Sequence, residues 1–238
     1  MFTNLSFSEN FILGLIFAFC LATMGFGFSS MAIADDDHGT HAANPWTADT
    51  ALQALKDGNE RVVQGNLTHP NLTPDVKQKL AKEGQFPLAI ILSCSDSRAP
   101  IEDIFDMGFG DIFSIRVAGA VPGVDQLGSI EYAVDHLGVP IIMVLAHTQC
   151  GAVTAAVDGG EVPGNLGALL QQLSPVAKLV EQLPEEKRLE AAIATSSVYF
   201  RDQLVKLSPI IAEAVKTNHV KIVSGVYDIS TGAVSFDK

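Results

Sequence analysis

Three short apolar runs set the frame for this chain: residues 88–92 (Leu-Ala-Ile-Ile-Leu), 112–117 and 141–146 (Ile-Ile-Met-Val-Leu-Ala). Each is too short for an ordinary helix and too apolar for a strand with one wet face, so each reads as a strand covered on both sides. Between the second and third, residues 127–137 carry Ile130, Ala133, Val134 and Leu137 on one side of a helix. Strand, helix and strand in that order build a parallel sheet. The expected class is therefore α/β, with a mostly parallel central sheet flanked by helices.

The remaining pattern fits around that sheet. Residues 47–64 place Ala51, Leu52, Leu55, Val62 and Val63 at near-helical spacing before a stop at Gly65, and 74–83 form a shorter helical stretch. Helical patterns then cover 151–157, 166–173, 175–183, 185–207 and 209–217. Ser174-Pro175 and Ser208-Pro209 each offer a cap followed by a proline suited to the first turn. The runs 220–227 and 233–236, joined through Asp228-Ile-Ser-Thr-Gly232, predict a strand and hairpin that add an antiparallel strand at the sheet edge.

The N-terminal region has a separate purpose. Residues 11–34 are almost free of polar groups and end in Ala32-Ile33-Ala34 directly before Asp35-Asp36-Asp37, the pattern of a signal peptide and its cleavage site. The expected organisation is a signal peptide over 1–34, a flexible lead-in over 35–45 and one domain over 46–238. Cys20 is discarded on this reading, and the mature protein is exported to the periplasm or an equivalent compartment. The alternative is an uncleaved anchor, because the run is long enough to span a bilayer and nothing in residues 1–10 is Lys or Arg. That anchor is the one route to membrane association. With 15 Lys and Arg against 27 Asp and Glu, the net charge of -12 leaves no basis for binding nucleic acid.

Chemistry concentrates where two buried strands end. Cys94-Ser-Asp96-Ser-Arg98 follows the first strand and His147-Thr-Gln-Cys150-Gly151 follows the third, which places both at the carboxyl edge where open parallel sheets build their sites. Two thiolates and one imidazole suit tetrahedral zinc and leave a fourth position open. A Cys94–Cys150 disulfide, natural in an exported protein, and a pair of inert buried thiols are the competing readings. Gly151, without a Cβ, allows close backbone approach at this point.

The segments Cys94-Ser-Asp96-Ser-Arg98-Ala-Pro100, Arg116-Val-Ala-Gly-Ala120, Ser129-Ile-Glu-Tyr132-Ala-Val and His147-Thr-Gln-Cys150-Gly151-Ala-Val together resemble the β-class carbonic anhydrases. The likeness implies one zinc per chain on Cys94, His147 and Cys150, with Asp96 and Arg98 as the catalytic dyad beside it. It implies that Gln85, Phe113 and Tyr132 line the substrate pocket, as in plant-like members, whose pockets lie at a homodimer interface; whether such dimers pair further into a tetramer is left open. For Phe113 and Tyr132 the competing reading is core packing. His136, one turn after Tyr132, matches a proposed proton shuttle, against the reading of a solvated helix histidine. Two departures from the family pattern are Ala120, where many members have Asn, and Gly108-Phe109-Gly110 in place of Pro-Gly.

The activity implied is reversible hydration of carbon dioxide to bicarbonate by a zinc-bound hydroxide, with Asp96 accepting the hydroxide proton and Arg98 holding Asp96 ionised. In some members the same aspartate occupies the fourth zinc position; Gln85 and Tyr132 favour the open arrangement. The alternatives are hydrolysis of another heterocumulene such as carbon disulfide, and a silent zinc-binding module, which would be expected to lack Asp96 or Arg98.

Overall fold

A computed structural model of the chain describes residues 44–237. The proposed signal peptide, Cys20 and the lead-in up to residue 43 lie outside the described residues. Asn44, counted with the lead-in on sequence, is already anchored: its side-chain amide donates to the carbonyls of Pro87 at 2.9 Å and Leu137 at 3.3 Å. Among the described residues no helix is long and apolar enough to cross a membrane.

The chain runs through α1 (Ala48–Gln64), α2 (Pro74–Glu83), β1 (Ala89–Ser93), α3 (Ile101–Ile104), β2 (Ile112–Arg116), a 3-10 turn (Ala118–Ala120) and α4 (Val124–Asp135). It continues with β3 (Ile141–His147), α5 (Gly151–Asp158), α6 (Leu166–Val180), α7 (Glu185–Leu207), α8 (Pro209–Lys216), β4 (Lys221–Tyr227) and β5 (Val234–Phe236). The five strands form one sheet in the order β2-β1-β3-β4-β5, parallel except for the last pair. The expected α/β class and the antiparallel edge strand are both present.

Every residue of β1 and β3 is buried, and the period-2 alternation of strand side chains divides them between two cores. Ile90, Leu92, Ile142 and Val144 point into the layer formed by α4 to α8, while Ala89, Ile91, Ile141 and Met143 meet α1 and α3. The α1 face fits tightly against the α3 end: a Cβ on Gly58 would fall 1.9 Å from the Phe105 carbonyl oxygen.

Two expectations are corrected. The 112–117 run, read as a strand covered on both sides, forms β2 at the sheet edge, where Ile115 is buried but Ser114 and Arg116 are exposed. Residues 166–173 and 175–183, read as two helices broken at Ser174-Pro175, form the single helix α6 with Pro175 inside it. An interior proline costs about 3 kcal/mol, but Leu170, Leu173, Val176 and Val180 form one buried stripe across it. At about 1.5–3 kcal/mol for each buried side chain, the stripe outweighs the break. Ser208-Pro209 behaves as expected, because Ser208 Oγ accepts the Ile211 N–H and α8 starts there. The short helix α3 and the turn at 118–120 carry too few residues for a periodic signal.

Asp106, buried between α1 and the 65–73 loop, ties the α1 layer together. Its carboxylate accepts from Arg61 Nε at 2.6 Å, Thr68 Oγ1 at 2.7 Å, Thr68 N at 3.0 Å and His69 N at 2.9 Å. Burial alone would raise its pKa; the Arg61 guanidinium and the Thr68 and His69 donors overcome this and hold it below the usual carboxylate range. The stability it contributes is therefore present above about pH 4 and lost as pH falls through the lowered native value. Asp106→Asn should cost about 2 kcal/mol at neutral pH and flatten the fall of the urea midpoint between pH 5 and pH 2. Equal acid sensitivity of variant and parent would show that this carboxylate does not carry it.

Candidate metal centre and active site

Strand pairing brings the two motifs together. Ser93 of β1 is in register with Leu145 of β3, so Cys94 and His147 leave adjacent strands at the same carboxyl edge. Cys150 is at the start of α5, and Gln149 just before it has φ +57°, a left-handed turn that returns the chain toward His147. The donor atoms of Cys94, His147 and Cys150 all lie within 4.8 Å of one another, all three residues are buried, and both thiols are free. The disulfide reading is thus set aside.

The set fits a zinc ion on its own geometry. His147 Nδ1 lies 2.9 Å from the Thr148 carbonyl oxygen, which can only accept, so Nδ1 carries the proton and Nε2 presents its lone pair. Nε2 is buried without a hydrogen-bond partner. The two sulfurs are 4.0 Å apart, close to the separation of about 3.8 Å that tetrahedral geometry gives two zinc-bound sulfurs at about 2.3 Å each. The Cys94 thiol is lowered to about 4, chiefly by the Cys150 thiol beside it and then by His147 and the Gly119 N–H, against the opposing effect of burial. The same contact with Cys94, joined by burial, pushes Cys150 upward. Burial works to lower His147, but neighbouring Cys94, Thr148 and Asp96 leave it raised.

Asp96 and Arg98 form a two-pronged pair: Arg98 Nε to Oδ1 at 2.9 Å and Nη2 to Oδ2 at 2.7 Å, with the Arg98 backbone N–H also donating to Oδ1 at 2.9 Å. These donors keep the carboxylate well below its ordinary range. Its Oδ2 is 3.9 Å from His147 Nε2. Arg98 Nη2 also reaches the Gln149 carbonyl at 3.3 Å, linking the two motif loops. The 147–150 loop is braced from the far end of the chain: Thr148 N donates to the Tyr227 carbonyl at 2.9 Å and Ile229 N to Thr148 Oγ1 at 3.1 Å. Asn59 of α1 in turn holds this C-terminal hairpin through the Gly232 carbonyl and the Val234 N–H, both at 2.8 Å.

The other sequence candidates lie elsewhere. Phe113 is in register with Ile90, four positions before Cys94, or about 13 Å along the strand. Its ring is 6.3 Å from that of Tyr132, which is half exposed and 5.1 Å from the His136 ring; His136 Nδ1 pairs with Asp135 at 3.1 Å. Gln85 is exposed ahead of β1, at the opposite end of the strands. Gly151 is not required by packing, since a Cβ there would meet nothing within 4 Å. Gly119 and Ala120 both have positive φ, +71° and +55°. Asn tolerates that conformation better than Ala. Gly108 carries its own constraint, because a Cβ would fall 2.0 Å from the Pro70 carbonyl oxygen.

A carbonic anhydrase family model matches residues 89–234, a span containing both motif loops and strands β1 to β4. The chain belongs to the β-class carbonic anhydrases. The carbonic anhydrase of Mycolicibacterium smegmatis is 39% identical over 190 residues, covering 77% of this chain and 90% of that protein. Carbonic anhydrase 2 of Mycobacterium tuberculosis is 51% identical over 117 residues, 48% of this chain and 56% of that one, so the match spans little more than half of that relative. In structure, the chain is similar to a tetrameric β-carbonic anhydrase from Sordaria macrospora, with TM-score 0.62, 28% identity, and coverage of 79% and 96%.

The pairing makes a direct prediction. In Arg98→Gln the Asp96 carboxyl loses its largest stabiliser, and its pKa should climb toward the ordinary value near 3.9. Carboxyl NMR titration of parent and variant reads this; an unmoved Asp96 would show that Arg98 does not hold it ionised.

Proposed function

We propose that the protein catalyses the reversible hydration of carbon dioxide to bicarbonate, with one zinc held by Cys94, His147 and Cys150. The observation that carries this reading is the buried, unpartnered His147 Nε2 beside two sulfurs 4.0 Å apart, with an aspartate locked in its ionised form alongside. When bound, zinc supplies a Lewis acid that lowers the pKa of a water ligand. Asp96, acceptor-only while paired with Arg98, obliges a neighbouring hydroxyl to give it the hydrogen bond and turn a lone pair toward the substrate carbon. Arg98 keeps the carboxylate from protonating and holds its plane.

The turn of Asp96 toward Arg98 supports the open, plant-like arrangement. Phe113 and Tyr132, grouped around the β2 edge and away from their own Cys94, support a pocket completed by a second copy of the chain, with Gln85 contributed in the same way. His136 joins that group as the proton shuttle. The Sordaria relative's tetrameric assembly supports a homo-oligomer. Two thiolates cancel the charge of zinc, so activity should rise through mildly alkaline pH.

Stopped-flow hydration with metal analysis tests the reading. Active protein should carry about one zinc per chain and sediment as a dimer or larger species, and Cys150→Ser should lose both zinc and activity. Faster turnover of carbon disulfide than of carbon dioxide, or zinc without any turnover, would overturn it.

Export over residues 1–34 remains part of the proposal, supported by Ala32-Ile33-Ala34 and the acidic run after it. N-terminal sequencing of protein from the exporting cell should begin at Asp35. Met1 retained on membrane-bound protein would establish the anchored alternative instead.

A further inference from the structure

Arg116 is the last residue of β2 and is in register with Ser93, the last of β1; the Val117 N–H to the Ser93 carbonyl, at 3.0 Å, closes the ladder. Past that rung the 94–96 segment leaves the sheet, and its carbonyls lose strand partners. The Arg116 guanidinium reaches forward over it, donating from Nε to the Cys94 carbonyl at 3.0 Å and from Nη2 to the Asp96 carbonyl at 2.5 Å. One planar fork thus spans the backbone of a candidate zinc ligand and of the candidate catalytic carboxylate. Asp96 is held by Arg98 on its side chain and, on its main-chain carbonyl, by Arg116 together with the Ala99 N–H at 3.0 Å.

We propose that Arg116 is a positioning residue that sets the distance and orientation between the Cys94 sulfur and the Asp96 carboxylate. The inference rests on the zinc-dependent reading above. A planar fork holds two carbonyls in a fixed relation; an ammonium is a point donor on a flexible stem and does not. Groups that orient metal ligands from outside cost about 10–100-fold in metal affinity or activity when removed.

The test compares zinc-loaded, full-length parent, Arg116→Lys and Arg116→Gln, each with its thermal midpoint measured first. Expected in both variants is a fall of about tenfold or more in kcat with KM little changed, together with about tenfold faster zinc loss to a chelator. Lys, which keeps the charge but not the fork, should not rescue either quantity. A folded variant that retains kcat and zinc within twofold of the parent would overturn the proposal. So would a loss of activity that disappears on cooling below a lowered midpoint, the mark of a merely structural role. If the Gln variant fails to fold, the Lys variant carries the same two readouts. A parent that neither binds zinc nor hydrates carbon dioxide would overturn the functional reading itself, and is distinguishable because it needs no variant.

Discussion

Burial of β1 and β3 on both faces is the constraint on which the rest depends. With helices covering each side, neither strand has room for an unpaired polar side chain along its apolar length. Reactive groups are therefore confined to the points where the strands end, and parallel pairing brings those ends to one edge. Cys94 and His147 are neighbours because β1 and β3 are neighbours, and the left-handed Gln149 then folds Cys150 back to complete the group.

The site divides its charges between two layers. The inner one is sulfur and imidazole, buried and mutually coupled, where a single proton is released easily and the second is resisted. The outer one is carboxylate and guanidinium, more exposed, with the charges fixed by short, paired hydrogen bonds. A cation would settle the inner layer, since it stabilises both thiolates and satisfies His147 Nε2 together. The outer layer already balances and needs only to stay where it is.

What could be read from the sequence follows from this physics. The apolar runs announce the buried strands, and the polar residues that end them announce the donors, because few other places tolerate such groups. The CSDSR and HTQCG spacing marked a candidate ligand set, with a disulfide and inert thiols as competing readings; the dyad of Asp96 and Arg98 came only with the resemblance to the β-class carbonic anhydrases. Less visible were interactions made by main-chain atoms: the Gly119 N–H on Cys94, the Gln149 carbonyl under Arg98 and the two carbonyls under Arg116. Backbone groups have no sequence signature, and Arg116 reads simply as a charged residue at a strand end. The Pro175 boundary misled for a different reason: a local breaker was outweighed by a buried stripe visible only once α6 is packed.

The brace on the 147–150 loop has a practical side. Thr148 is held by Tyr227 and Ile229, and their hairpin is held by Asn59, so residues 227–234 act as a clamp on a loop some eighty positions earlier. In this protein changes to the 227–236 hairpin would be felt at the sulfur cluster through Thr148, and also in the core that Tyr227, Val234 and Phe236 share with α1 and α3; variants altered there are poor references for metal content.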